Sequence, residues 1–255
     1  MDEKTYERKF ITLDKEVTIA YIEQGEGETI LFLHGWICSG ELFEKQIEDL
    51  SKNYRVIAMD FRGHGKSTKP FFGHTCSIYA QDLKNFLEKL NLENVNLVGW
   101  SLGAGVIFEY IKQFGNIHLK SLCIIDHSPY PFNTSLWNLG AMKGAMDIQI
   151  LAEILRSLQE DPKKAIETAY LDLFQKKEVD NTISHFIEYA LDIPPVMAGS
   201  ILFDLVTRDR RDAVMKIKIP ALIIFSNNSR FGRDTAQWLK SKIPRSRLIF
   251  LQKCQ

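Results

Sequence analysis

The sequence has no excess of either charge: 32 lysines and arginines face 32 aspartates and glutamates. A chain so balanced offers no electrostatic footprint for nucleic acid or for an anionic membrane. It also lacks a long apolar run, since none approaches the ~18 to 20 residues that a membrane span requires. The opening Met1-Asp2-Glu3-Lys4 is charged and has no apolar h-region, which argues against a signal peptide. A cytoplasmic protein is the resulting expectation. Cysteine is scarce: Cys38, Cys76, Cys123 and Cys254 are scattered without a C-x-x-C pair. That excludes the usual metal-ligand spacing, and a chain of this size does not need disulfides to fold. The four are expected as reduced thiols, of which Cys38 falls in a loop expected at the active site. No internal repeat and no low-complexity tract is present.

What is present is an ordinary globular composition, 45% apolar and 25% charged over 255 residues, enough for one large core. Tyr6–Leu13 and Val17–Glu23 alternate or are β-branched and read as an antiparallel pair. Thr29–Leu33, Val56–Met59, Val95–Val98 and Leu122–Ile125 are short apolar runs of the kind buried on both faces of a sheet. Helical spacing appears between them at Glu41–Lys52, Tyr79–Leu90 and from Gly103 through Phe114. This β-α-β-α rhythm predicts a mostly parallel sheet with helices on both faces. After Pro129–Pro131 the rhythm breaks. Residues 132–211 contain only helical segments, near Ala141–Leu158, Pro162–Phe174, Val179–Leu191 and Pro195–Val206. Strands return at Ala221–Phe225 and Leu248–Leu251, with a helix at Thr235–Lys242. The expected organisation is a core over 1–130 and 212–255 with a helical cap at 131–211. Ligands bind at the carboxyl edge of such sheets, so the cap is expected to roof the site.

Three motifs carry chemistry. Gly99-Trp100-Ser101-Leu102-Gly103 is a G-x-S-x-G between a predicted strand and a predicted helix. Acyl transfer needs a serine projected from a tight strand-to-helix turn, where side chains two residues away would collide. Leu33-His34-Gly35-Trp36 follows the first parallel strand. Two N–H donors are required for the tetrahedral intermediate, and Trp36 and Leu102 are the candidates. His34 is read as shaping its loop. Asp60–Ser67 holds Asp, Arg, His and Ser together, but reads as a glycine-rich turn pinned by local side-chain bonds.

In this order and spacing, the motifs resemble the α/β-hydrolase superfamily over nearly the whole chain. The nearest resemblance is to small capped carboxylesterases and cofactor-free haloperoxidase-like hydrolases. It implies a serine nucleophile at Ser101 and argues against aspartate-nucleophile dehalogenase or epoxide hydrolase chemistry. The family's acid commonly follows the penultimate strand, where this sequence has Ser226-Asn227-Asn228-Ser229, with Ser229 at the acid position and Asp234 further on reading as a helix N-cap. A second family location is the end of the strand after the elbow helix, and Asp126 in Asp126-His127-Ser128-Pro129 fills it. The family's base sits in a Gly-His pair after the last strand, and the sequence ends at Gln252-Lys253-Cys254-Gln255 without one. His127 is a poor substitute, because adjacent strand-end residues point to opposite faces. Two readings follow: a truncated form of an active enzyme, or a hydrolase-fold protein that binds a ligand without turnover.

The expected activity is hydrolysis of a small, largely apolar ester through an acyl-enzyme on Ser101. The triad would also serve peracid formation. Asp126 would orient the base, and Trp36 and Leu102 would form the oxyanion hole. No metal or organic cofactor is implied, and the expected partner is the small-molecule substrate. Tyr130, Phe132, Trp137, Met142, Met146, Phe186, Tyr189, Met197 and Phe203 are candidates to line the pocket, although aromatic and Met residues at helical spacing more often form cap core.

Overall fold

The computed structural model describes residues 6–252. Its strands are β1 (Arg8–Thr12), β2 (Thr18–Gln24), β3 (Thr29–Leu33), β4 (Arg55–Met59), β5 (Val95–Trp100), β6 (Leu119–Ile125), β7 (Ala221–Ser226) and β8 (Ser246–Leu251). They form one sheet in the order β1-β2-β4-β3-β5-β6-β7-β8. The first two pairings are antiparallel and the rest are parallel. The α/β-hydrolase architecture expected from the strand and helix rhythm is therefore the observed one.

The chain runs outward from β3 to β4 and then returns to place β5 on the other side of β3. That reversal opens a crevice at the carboxyl ends of β3 and β5, where ligands bind in doubly wound sheets. The fold thus brings the His34-Gly35-Trp36 turn and the Ser101 turn side by side. Strand β6 lies next to β5, with Trp100 opposite Ile125, so Asp126 emerges at the same edge.

Helices α1 (Glu44–Leu50), α2 (Cys76–Lys89) and α3 (Leu102–Phe114) flank the sheet. Between β6 and β7 come α4 (Ala141–Gly144), α5 (Ile148–Glu160), α6 (Pro162–Phe174), α7 (Asn181–Leu191), α8 (Pro195–Thr207) and α9 (Arg211–Val214), and α10 (Gly232–Lys242) follows β7. The helix anticipated over Ala141–Leu158 is two elements. Met142 and Lys143 both have positive φ, and the Asp147 carboxylate caps a fresh start by accepting from the Gln149 and Ile150 N–H groups. Asp180 likewise sets the start of α7 by accepting from Ile183 N–H. Asp234 is not the cap of α10. Phe231 holds that position, and Asp234 lies in the first turn, where its charge still complements the helix dipole.

Two apolar clusters matter for the site. One fills the face of the sheet covered by α2, α3 and α10, around Leu33, Leu97, Leu102 and Ile124. The other joins Leu151, Leu158, Ile166, Tyr170, Ile183 and Met197 of the helical insert, and it takes in Ile37 and Cys38 from the loop after β3. At the far end of α8, the fully buried Arg210 pairs with Glu109 at 3.1 Å and with Asp204 at 2.7 Å. Asp204 also accepts the Cys76 N–H at the start of α2, so one ion cluster ties the insert to two core helices. No single helix among the described residues is long and apolar enough to cross a membrane.

Candidate active site

The turn from β5 into α3 is as tight as the motif demands. Ser101 sits at φ 51°, ψ −111°, heads α3, and makes no side-chain capping bond. A non-glycine residue so placed costs ~1 to 3 kcal/mol, which the surroundings must hold in place. Ser101 N–H donates to Ile125 O at 3.0 Å, and Ser101 O accepts from Ala104 and Gly105. The glycines are explained by contact. A Cβ at Gly103 would come within 2.2 Å of Leu33 O, and one at Gly99 within 2.6 Å of the Gly103 backbone.

Opposite, residues 34–38 form a tight turn. His34 Nδ1 lies 2.8 Å from Gly35 O, and His34 Nε2 accepts the Phe61 N–H at 3.0 Å. These partners fix the neutral tautomer with the proton on Nδ1, and burial lowers the His34 pKa to about 4. His34 therefore shapes its loop, as anticipated, and does not move protons. Ile37 has φ +50°, an outlying conformation for a β-branched residue. Among the described residues, the backbone N–H groups of Trp36 and Leu102 donate to no protein acceptor.

Asp126, also at positive φ, lies at the end of β6. Burial raises its pKa, while the Ser229 side chain and the Arg230 charge pull it back toward the carboxylate. Its Oδ1 is buried without a partner among the described residues. Asp60, in the motif read as a turn, accepts from Lys66 N–H, and its carbonyl accepts from Ser67 Oγ. It reaches further than that reading allowed, pairing with Arg8 at 3.0 Å and accepting from Gly40 N–H.

Ser101, Asp126 and Trp36 line one cavity of about 190 Å³. Apolar groups of the insert form most of its wall, among them Ile154, Ala169, Leu173, Leu202, Leu205 and Val206, with Phe231 from the loop after β7. Of the aromatic and methionine candidates, Met142 and Met146 line it. Phe186 and Met197 belong to the insert's own cluster, and Phe203 is exposed. Cys38 also lines the cavity, but burial pushes its thiol up to about 12, so it holds its proton and is no rival nucleophile. Cys38, Cys76 and Cys123 are free, and Cys254 lies outside the described residues.

Of the described histidines, only His127 touches this cavity. Its ring stacks on Phe108 and meets Phe231 edge-on, both ring nitrogens are buried without partners among the described residues, and burial drives its pKa down to about 3. No histidine among the described residues is hydrogen-bonded to Ser101 or to Asp126. Arg230 and Tyr170, which the sequence did not single out, complete the wall. Arg230 adjoins Ser229, the position marked by its departure from the expected acid. Tyr170 lies on a plain amphipathic helix with no motif to flag it.

A family model described as alpha/beta hydrolase fold matches residues 28–255. Over 244 residues the chain is 28% identical to AB hydrolase superfamily protein YisY of Bacillus subtilis, spanning 94% of this chain and 89% of that protein. It is 27% identical to a putative non-heme chloroperoxidase of Synechocystis over 94% and 90% of the two chains. The solved bromoperoxidase from Bacillus anthracis superposes with a TM-score of 0.89 at 24% identity, covering 96% of this chain and 91% of that one. The esterase EaEST from Exiguobacterium antarcticum gives 0.87 at 24% identity, over 94% and 89%.

Proposed function

The chain belongs to the α/β-hydrolase superfamily, and on that footing we propose that it is a serine hydrolase of small, largely apolar carboxylic esters. The observation that carries the reading is Ser101, held on a strained elbow at the mouth of an apolar cavity, with unengaged N–H groups on one side and a buried carboxylate on the other.

In this mechanism Ser101 Oγ attacks the ester carbonyl as its proton passes to a base. The Trp36 and Leu102 N–H groups take the developing oxyanion, at the positive end of α3. Collapse expels the alcohol with the proton and leaves an acyl-enzyme, which water then cleaves by the reverse transfer. Asp126, with its free Oδ1, orients the base, which is an imidazole placed between it and Ser101. Residues 131–211 act as the cap over the reacting carbonyl and exclude water. The chloroperoxidase named among the relatives supports a branch of the same chemistry, in which hydrogen peroxide replaces water and releases a peracid.

A second reading is favoured by one observation: no described histidine bonds Ser101. A chain without a base at that position would bind its ligand without turning it over, and the ligand would raise its melting temperature with no product formed. Turnover of p-nitrophenyl acetate and butyrate, with and without added imidazole and with Ser101→Ala subtracting the imidazole background, separates the two. Hydrolysis dependent on Ser101 supports the enzyme, whereas stabilisation by ester without product supports the binder.

A further inference from the structure

The turn that carries the Trp36 N–H is held from outside by the helical insert. Three carbonyls in succession each have a donor. Gly35 O accepts from Cys38 N–H at 3.3 Å and lies beside His34 Nδ1. Trp36 O accepts from the Cys38 thiol at 3.2 Å, and Ile37 O accepts from the Tyr170 hydroxyl at 2.8 Å. The first two sets of donors belong to the turn itself. Only the third comes from elsewhere in the chain, from α6, and it acts on the residue that adopts φ +50°. A second tether comes from the indole of Trp36, whose Nε1 donates to Ala198 O on α8 at 2.9 Å.

With all three carbonyls occupied, the Trp36 N–H still has no protein acceptor among the described residues. A β-branched residue disfavours the left-handed region, so the 37–38 peptide needs an external bond to stay as it is. Tyr170 is fully buried and stacks on Phe174, which fixes where its hydroxyl points. We propose that Tyr170 is a positioning residue of the oxyanion hole: its hydroxyl fixes the Ile37 carbonyl and so keeps the Trp36 N–H aimed at the carbonyl attacked by Ser101. This rests on the serine hydrolase reading above. It adds that the cap helices complete the oxyanion hole as well as roofing it. Displacement of an aimed donor by about 1 Å costs on the order of 100-fold in transition-state stabilisation.

The test compares two ligands of similar size on the folded chain. Phenylboronic acid forms a tetrahedral adduct on a serine and uses the oxyanion donors, whereas benzyl alcohol only fills the cavity. Affinities are measured by calorimetry for the unaltered chain, Ser101→Ala, Tyr170→Phe and the double variant Tyr170→Phe/Ile37→Gly. Tyr170→Phe is expected to weaken boronate binding by at least about tenfold and to leave benzyl alcohol binding unchanged. The double variant is expected to regain most of the boronate affinity, because glycine takes φ +50° without help. Unchanged boronate binding by Tyr170→Phe overturns the proposal, as does an equal loss for both ligands. Boronate binding that Ser101→Ala leaves intact overturns the serine hydrolase reading, and this inference with it.

Discussion

Ser229 stands beside Asp126 across neighbouring strand ends, and its side chain draws the buried Asp126 carboxyl back toward its charged form. The position where the superfamily commonly carries its acid thus supports the proposed acid, one strand over. Removing that support leaves only the Arg230 charge to oppose burial, so the Asp126 pKa rises further and the carboxylate is lost at a higher pH. With p-nitrophenyl butyrate and imidazole, Ser229→Ala is expected to shift the acid limb of the Ser101-dependent rate toward higher pH. A limb in its original place shows that Ser229 does not act on the Asp126 carboxylate.

Asp126 itself is expected to matter more. Asp126→Asn keeps the shape but removes the charge proposed to orient the base, and a loss on the order of 10⁴-fold in kcat has been measured for the same change in a serine protease triad. Here the rate of acyl transfer to Ser101 is expected to fall by at least about 100-fold, read by release of p-nitrophenol. Full activity in Asp126→Asn removes it from the mechanism.

The buried ion cluster gives a prediction about stability. Arg210→Met leaves the half-exposed Arg208, 2.8 Å from Asp204 and 4.0 Å from Glu109, as the remaining counter-charge to two buried carboxylates at the junction of α3 and α8. Loss of one member of such a cluster costs ~3 kcal/mol or more. Urea unfolding of the variant is expected to show that loss. A change below ~1 kcal/mol means that Arg208 suffices as the counter-charge of the two carboxylates.

His127 predicts an effect of the opposite sign. Its imidazole is held neutral by burial at a pKa of about 3, against an ordinary value of ~6.5 in the unfolded chain. The folded pKa is the lower one, so the stability linked to this group is present above pH ~6.5 and is lost as pH falls toward 3. His127→Leu removes both that penalty and two unpartnered buried nitrogens. It is expected to stabilise the chain by ~1 kcal/mol at pH 8 and by more at pH 5. A variant less stable at both pH values shows that the ring is bonded in solution.

Much of this was legible before any coordinates. Alternating and continuous apolar runs marked the strands because the sheet is buried on one or both faces, and Gly99-x-Ser101-x-Gly103 marked the elbow because packing at 2.2 Å and 2.6 Å admits no side chain there. The place of Asp126 at the carboxyl edge of the sheet was legible from its position at a strand end. The break in the first insert helix was less so: Met142 and Lys143 are good helix formers, and tertiary packing overrides them. Tyr170, Arg230 and Phe231 were not legible as site residues, because they reach the cavity through long-range packing that no local pattern records. The same holds for the ties of Asp60 to Arg8 and Gly40 N–H, which lie 52 and 20 residues away along the chain.

The central claim is that Ser101 is an acyl-accepting nucleophile, and intact-protein mass spectrometry after brief exposure to p-nitrophenyl butyrate tests it most directly. The account predicts one butyryl group per chain, mapped by peptide fragmentation to Ser101, absent from Ser101→Ala and released faster when imidazole is added. No adduct, or an adduct that persists in Ser101→Ala, contradicts it.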